Sequence, residues 1–299
     1  WTFHLHPGIK FVSGNPLTAE DVRFTFTRLM NMKTYSSDYV NMVKNVEVID
    51  PLTVRINCKT TAPALLSALS TGMLSVLDSK VVKEHGGTDA ADADKTDKAK
   101  EWLDQNSPGT GAYVLKSWKP KVEVVLEANP NYWRGAPKIS RVIFKHVADP
   151  STALQLLQKG DADIVYGLDV DLAEKVKADP NLTLVAGQAL NYEMMAMTVN
   201  PEISKPLSDK RVRQAIILAV DYDGIVNGIL RGYATRAWSL LPIGFLGVDK
   251  TPSIPKPDIE KAKALLKEAG YENGFTVDLS YATAPLRDTI AAKVKSDLA

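Results

Sequence analysis

The sequence is poor in the features that would place it quickly. It carries one cysteine, Cys58, in 299 residues, so no internal disulfide can form, and a lone thiol in a strand-like run reads as a small packed side chain. Its 36 basic residues balance 35 acidic ones, which leaves no electrostatic footprint for nucleic acid or an anionic membrane. No apolar run approaches the roughly 18 residues that a membrane-spanning helix needs; the stretch 62–82 is broken by Ser67, Ser70, Thr71, Gly72, Ser75 and Asp78. There is no GxSxG elbow, no HExxH helix, no paired CxxC and no GxxxxGK loop. Gly109, Thr110 and Gly111 begin a GxGxxG pattern, but Val114 stands in the final place and no strand leads into the loop. His4 and His6 share a strand face without a third ligand, so neither a metal nor a cofactor is expected. These absences shift the weight from an enzyme to a binding protein.

What is present is an ordinary globular composition, 45% hydrophobic and 24% charged, long enough for about two domains. Trp1, Phe3 and Leu5 alternate with polar neighbours as a strand over residues 1–6, and Pro7–Gly8 turns into a second short strand over 9–12. The chain opens inside a strand, without methionine or leader, and ends inside a helix spaced by Leu286, Ile290, Val294 and Leu298, so we expect it to be part of a longer protein. Thr18 is placed to cap a helix over 19–32, with Glu20 and Asp21 in its first turn and Val22, Phe26, Leu29 and Met30 on one face. A hairpin is expected over 46–49 and 53–58, a packed helix over 64–77, and a solvated surface segment over the charge run 84–104.

Strands follow over 113–118, 122–127 and 141–146. From residue 151 the pattern alternates: a helix around Leu154 and Leu157, a turn at Gly160, a strand over 164–166, a helix over 172–178, and strands over 182–186 and 190–199. Ser208 is placed to cap a helix over 209–220, Asp221 one over 222–230, and a helix over 258–269 stops at Gly270. A proline-rich connector at 251–257 puts a boundary between residues 232 and 257. Alternating helix and strand favours an α/β lobe.

Four blocks in order carry a resemblance: WTFHLHPGIKFVSGNPLTAEDVRFTF (1–26), GTGAYVLKSWKP with NPNYWRGAPKISRVIF (109–120 and 129–144), LQKGDADIV (157–165) and KPLSDKRVRQAIILAVDYDGIV (205–226). Together they resemble the family 5 extracellular solute-binding proteins, the peptide-binding receptors of bacterial ABC importers. His6 stands where arginine is common and Ala112 where proline is common. The resemblance implies an α/β clamshell of the type II periplasmic-binding class with an accessory subdomain, truncated at both ends here. It implies that residues 1–106 form the accessory subdomain of lobe I, 107–237 the main part of lobe I, and 238–299 the beginning of lobe II.

Strand ends facing a hinge cleft are the natural ligand contacts in open α/β sheets. Tyr166 and Gly167 close the strand after GDAD, where an aromatic edge and a glycine let a ligand backbone approach. Asn191, Tyr192, Glu193, Met194 and Met195 occupy the strand that in the family runs along the cleft, and Glu193 offers a carboxylate to a ligand ammonium group. Met194 and Met195 read equally as core packing, and Trp238 as a stacking platform or a hinge prop. Trp118, Tyr132 and Trp133 read as packing residues, and Asp209, Arg211 and Arg213 as structural ones. The resemblance implies a monomeric periplasmic or extracytoplasmic carrier of a short peptide or small solute, partnered by membrane permease subunits, with no cofactor and no nucleic acid. Within the fold, the alternatives are a nickel chelate, an opine, an oligosaccharide or haem; outside it, a hydrolase with an unrecognised site.

Overall fold

In the computed structural model, which describes residues 1–245, 247–249 and 255–299, the chain folds as two units, Trp1–Val147 and Ala148–Ala299. The first begins with β1 (Thr2–His4) and α1 (Ala19–Met32). Thr18 precedes α1 in extended backbone, and its N–H and hydroxyl both donate to Asp21 Oδ2 at 2.8 Å. The other oxygen of Asp21 accepts the N–H and hydroxyl of Ser79 at 3.0 and 2.7 Å. A carboxylate only 5% exposed is therefore fully hydrogen-bonded, as burial of a charge demands.

After a 3-10 helix (Tyr35–Val40) come β2 (Val43–Asp50) and β3 (Thr53–Cys58). The hairpin is longer than its sequence suggested. It forms an antiparallel sheet in the order β1-β3-β2, with Phe3 opposite Val54 and Val46 opposite Ile56. Val43, Val46, Val54 and Ile56 meet Ala19, Val22 and Phe26 of α1 in a buried cluster, against which Cys58 packs as expected.

Three expectations need correction in this unit. Residues 9–12 are not a strand: Phe11 N–H donates to Asn15 O at 2.9 Å and Gly14 N–H returns to Phe11 O at 2.9 Å, so the loop closes on itself with a single bridge between Lys10 and Pro16. The helix expected over 64–77 divides into α2 (Leu65–Leu69) and a 3-10 turn (Gly72–Leu74). The hydroxyls of Ser70 and Thr71 bond back to Ser67 O and Ala68 O at 2.7 and 2.8 Å, competing with helix continuation. The charge run 84–104 is not wholly solvated. It follows α3 (Ser79–Glu84), contains α4 (Ala93–Thr96) and α5 (Lys100–Leu103), and buries Ala93, Ala99 and the carboxylate of Asp97.

Asp97 receives Arg28 in a bidentate pair, Nε and Nη2 each at 2.7 Å. Burial alone pushes its carboxyl up, but the Arg28 guanidinium and the N–H groups of Thr88 and Ala99 outweigh that and hold it below the usual carboxylate range.

The unit closes with β4 (Tyr113–Lys119), β5 (Glu123–Ala128) and β6 (Arg141–Lys145), antiparallel in that order, with Leu115, Leu126 and Val142 in one row. Asn129, 2% exposed, donates to Gly111 O and accepts Asn131 N–H, both at 3.0 Å. Trp118 and Trp133 are 39% and 41% exposed, less packed than expected. The Trp133 ring lies 5.2 Å from that of His6 and 4.4 Å from the Arg134 guanidinium.

The second unit starts with α6 (Pro150–Lys159) and α7 (Val170–Ala178), capped by Asp149 and Asp169, whose carboxylates accept Thr152 N–H at 2.7 Å and Leu172 N–H at 2.8 Å. Gly160 ends α6 at φ 79°. Leu154, Leu172 and Val176 pack between the two helices. Then come α8 (Lys205–Ser208) and α9 (Lys210–Ala219). The cap of α9 is Asp209, not Ser208, because Ser208 is already the last residue of α8, which Ser204 caps. Arg211 joins Asp209 and Glu268 O, and Arg213 donates to Leu207 O and Ser208 O, the structural roles expected of them.

Asp221 accepts Gly224 N–H at 2.9 Å at the head of a π-helical turn, Gly224–Ile229. A side chain at Gly224 would place its Cβ 2.2 Å from Asp221 Oδ2, so the cap needs glycine there. α10 (Ile259–Glu268), capped by Asp258, packs Ala262 on Ala215 and Leu218 of α9 and ends before Gly270. α11 (Pro285–Asp297) follows. The connector expected at 251–257 lies outside the described residues up to position 254. The strands expected over 164–166, 182–186 and 190–199 are irregular backbone in no ladder among the described residues. A strand is defined by its neighbour, and these runs have none.

Asp21→Ala leaves four donors without their acceptor, two of them on a helix cap. We expect a loss of about 2–3 kcal/mol in urea unfolding, against less than about 1 kcal/mol for Glu20→Ala, which removes only the surface pair with Arg23.

Candidate functional site

The expected ligand contacts fall on irregular backbone of the second unit. Between α7 and α8 the chain runs without regular secondary structure over residues 182–199, tied down at a few points. Gln188 Nε2 donates to Ile243 O at 3.2 Å, and the Leu190 side chain lies against Gly244, whose φ of 103° suits glycine. Glu193 Oε1 accepts Nη2 and Nε of Arg287 at 2.6 and 3.2 Å. The segment is therefore held at 243–244, at the first turn of α11 and by Leu182 and Leu184 packed against the α6–α7 cluster, while the side chains of 191–194 are exposed. Asn191 is exposed, Met194 is 63% exposed, Tyr192 is 39% exposed, and Met195 alone among them is half-buried. For Met194 the exposure disfavours core packing.

Tyr166, 88% exposed, and Gly167, at φ 77°, stand in the run that leads into α7. Among the described residues no hydrogen bond or ring contact joins them to residues 191–195. Trp238 is half-buried and donates from Nε1 to Asp249 O at 3.0 Å, a bond that fixes the indole within its own loop. Trp238 likewise has no hydrogen bond or ring contact to residues 191–195 among the described residues.

Arg287 is the residue that reading the sequence missed. Its signal was present: a cation in the first turn of a helix sits against the positive end of the helix dipole, so its partner must come from elsewhere. Hydrogen bonding to Glu193 pushes its guanidinium pKa further up. Both side chains are substantially exposed, 43% for Arg287 and 69% for Glu193, so the pair contributes little to stability.

Chemically, the segment offers backbone N–H and C=O groups that form no ladder among the described residues, an aromatic and thioether surface, and a cation beside an anion. No group of three or more His, Cys, Asp or Glu side chains that could hold a metal ion occurs among the described residues. His4 and His6, the sequence's one histidine pair, point to different partners, Thr53 and Trp133. A shallow depression of about 480 Å³ bordered by Trp1, Ile56, Cys58 and Pro63 belongs to the first unit and contains none of the candidate residues.

A family model described as bacterial extracellular solute-binding proteins, family 5 middle, matches residues 1–299. The chain belongs to this family. The glutathione-binding protein GsiB of Pectobacterium atrosepticum is 31% identical over 282 residues, which cover 93% of this chain and 51% of that protein. The dipeptide-binding protein of Escherichia coli is 31% identical over 299 residues, covering 93% and 54%. NikZ from Campylobacter jejuni, solved in complex with Ni(L-His), superposes with a TM-score of 0.81 at 27% identity, over 99% of this chain and 59% of that one. The chain thus spans about half the length of the curated relatives it matches. Its fold is the mixed α/β fold of the type II periplasmic-binding class, and these family 5 relatives are binding proteins rather than enzymes.

Arg287→Ala is expected to change the urea-unfolding free energy by less than about 1 kcal/mol, as befits an exposed pair. A larger loss would show that the pair holds the fold together.

Proposed function

We propose that the protein is the substrate-binding component of an ABC importer, which captures short peptides or related small solutes outside the cytoplasmic membrane and hands them, unchanged, to a membrane permease. The observation that carries this reading is the 190–199 segment: irregular backbone with no strand partner among the described residues, bearing an exposed ion pair. A peptide laid alongside can use its main-chain groups in strand addition. Its ammonium and carboxylate can exchange with the weak Glu193–Arg287 pair, replacing one ion pair by two.

In this reading Asn191, Tyr192, Glu193, Met194 and Met195 contact the ligand, with Tyr166, Gly167 and Trp238 as further walls. Residues 1–106 form the accessory subdomain, 107–237 the main part of lobe I, and 238–299 the start of lobe II. The protein acts as a monomer. Relatives named for glutathione and for dipeptides support a peptide-like solute, and a micromolar dissociation constant, about −8 kcal/mol, is within reach of such contacts.

Calorimetry on the full-length protein with di- to pentapeptides, Ni(II)–histidine and simple sugars tests this reading. Peptides should bind at micromolar concentration, and Glu193→Gln should weaken them about tenfold or more. An N-acetylated peptide should lose a similar factor on the unsubstituted protein and little more on Glu193→Gln. Binding of the nickel chelate or a sugar alone would overturn the peptide assignment, and silence from every class would overturn the carrier reading itself.

A further inference from the structure

Two cations on α1 and the one that follows its last residue, spaced every fifth residue, each take an aspartate from the segment that the sequence marks as a plain charge run. Arg23 pairs with Asp89 at 2.9 Å, Arg28 with Asp97 at 2.7 Å and Lys33 with Asp94 at 3.0 Å. The outer two are partly exposed and contribute little. The middle one is not: the side chains of Arg28 and Asp97 are 8% and 0% exposed, and breaking such a pair leaves a buried charge uncompensated.

Other ties are few. Asn31 Nδ2 donates to Asp89 O at 2.9 Å, and Lys98 N–H donates to Gly86 O at 3.0 Å. Otherwise the backbone–backbone bonds of 88–106 run within the segment among the described residues. Its apolar contribution is the buried Ala93 and Ala99, the latter laid with Trp102 and Leu103 over Phe24 and Val82. The segment is bounded by Gly86, at φ 81°, and by Gly109, which has nothing within 4 Å of where a side chain would begin. Asp97 also accepts the N–H groups of Thr88 and Ala99, at 2.9 and 3.2 Å, so one carboxylate both latches the segment to α1 and holds its own turns together.

We propose that residues 88–106 form a strap that opens and recloses as one unit over Phe24, latched by the Arg28–Asp97 pair. Opening separates Arg28 from Asp97, frees the Phe24 ring and takes Trp102 off the face of His85, on which it stacks at 4.1 Å. This device is independent of the ligand segment and of the carrier reading.

Hydrogen exchange of the intact, ligand-free protein, followed peptide by peptide, tests it. Peptides from 88–106 should share one level of protection and exchange at least about tenfold faster than peptides of α1. Asp97→Asn should speed 88–106 by at least about a further tenfold while β2 and β3 keep their rates; Asp94→Asn should speed it less than about threefold. Exchange of 88–106 in step with α1 overturns the proposal. So does an acceleration by Asp97→Asn spread evenly over the first unit. If Asp97→Asn does not fold, the unsubstituted protein's two protection levels decide the matter alone.

Discussion

An extended backbone presents one donor and one acceptor at every residue, and the structure is organised by where those groups find partners. In the first unit they find them in two three-stranded ladders, β1-β3-β2 and β4-β5-β6. In the second, the runs around 164–169 and 182–199 stay irregular, in no ladder among the described residues, and Ile164, Tyr166 and Val185 are more than four-fifths exposed, at 84%, 88% and 88%. Apolar side chains on unpaired strand-like backbone mark a surface made to be covered. In the proposed reading, main-chain groups outside any ladder can receive an extended ligand without first breaking bonds of their own.

Carboxylates do most of the local organising. Asp78, Asp149, Asp169, Asp209 and Asp258 each cap a helix through a side-chain oxygen, while Asp21 and Asp97 pin α1 to segments 58 and 69 residues away in sequence. The near-neutral sum of charges conceals this use. Each of these aspartates acts over a few ångströms, within hydrogen-bond reach, so the chain carries 71 charged residues, 36 basic and 35 acidic, without building a long-range field of either sign.

What could be read from the sequence follows the same division. The bounds of α1 and β3 and the caps at Thr18 and Asp221 were legible because their signals are local: a capping residue, an apolar face, a turn. The strands over 164–166, 182–186 and 190–199 had the composition of strands, yet composition describes a residue's preference and not its partner. The segment 84–104 was read as solvated because lysine and aspartate dominate it, and Asp97 is buried only because Arg28 comes to meet it from α1. Ser208 and Asp209 are adjacent capping residues, and only the short helix α8 decides between them. Arg287 was missed because its partner, Glu193, is 94 residues away.

In the proposed reading, the Glu193–Arg287 pair lets a weak interaction carry specificity. α11 begins at Pro285, so Arg287 lies in the turn where the helix dipole repels a cation, and Glu193 offsets that repulsion. Both groups stay largely in water, so neither has been desolvated in advance and neither is strongly committed to the other. When a ligand ammonium takes Glu193, Arg287 is left at the wrong end of a helix without an anion. In the proposed reading a carboxylate on the same ligand supplies one, so the two recognition events favour each other. A ligand with only one of the two charges gains half the exchange and leaves the other half unpaired. Selection for a zwitterion then rests on the pairing already present in the protein rather than on a field that a neutral chain does not possess.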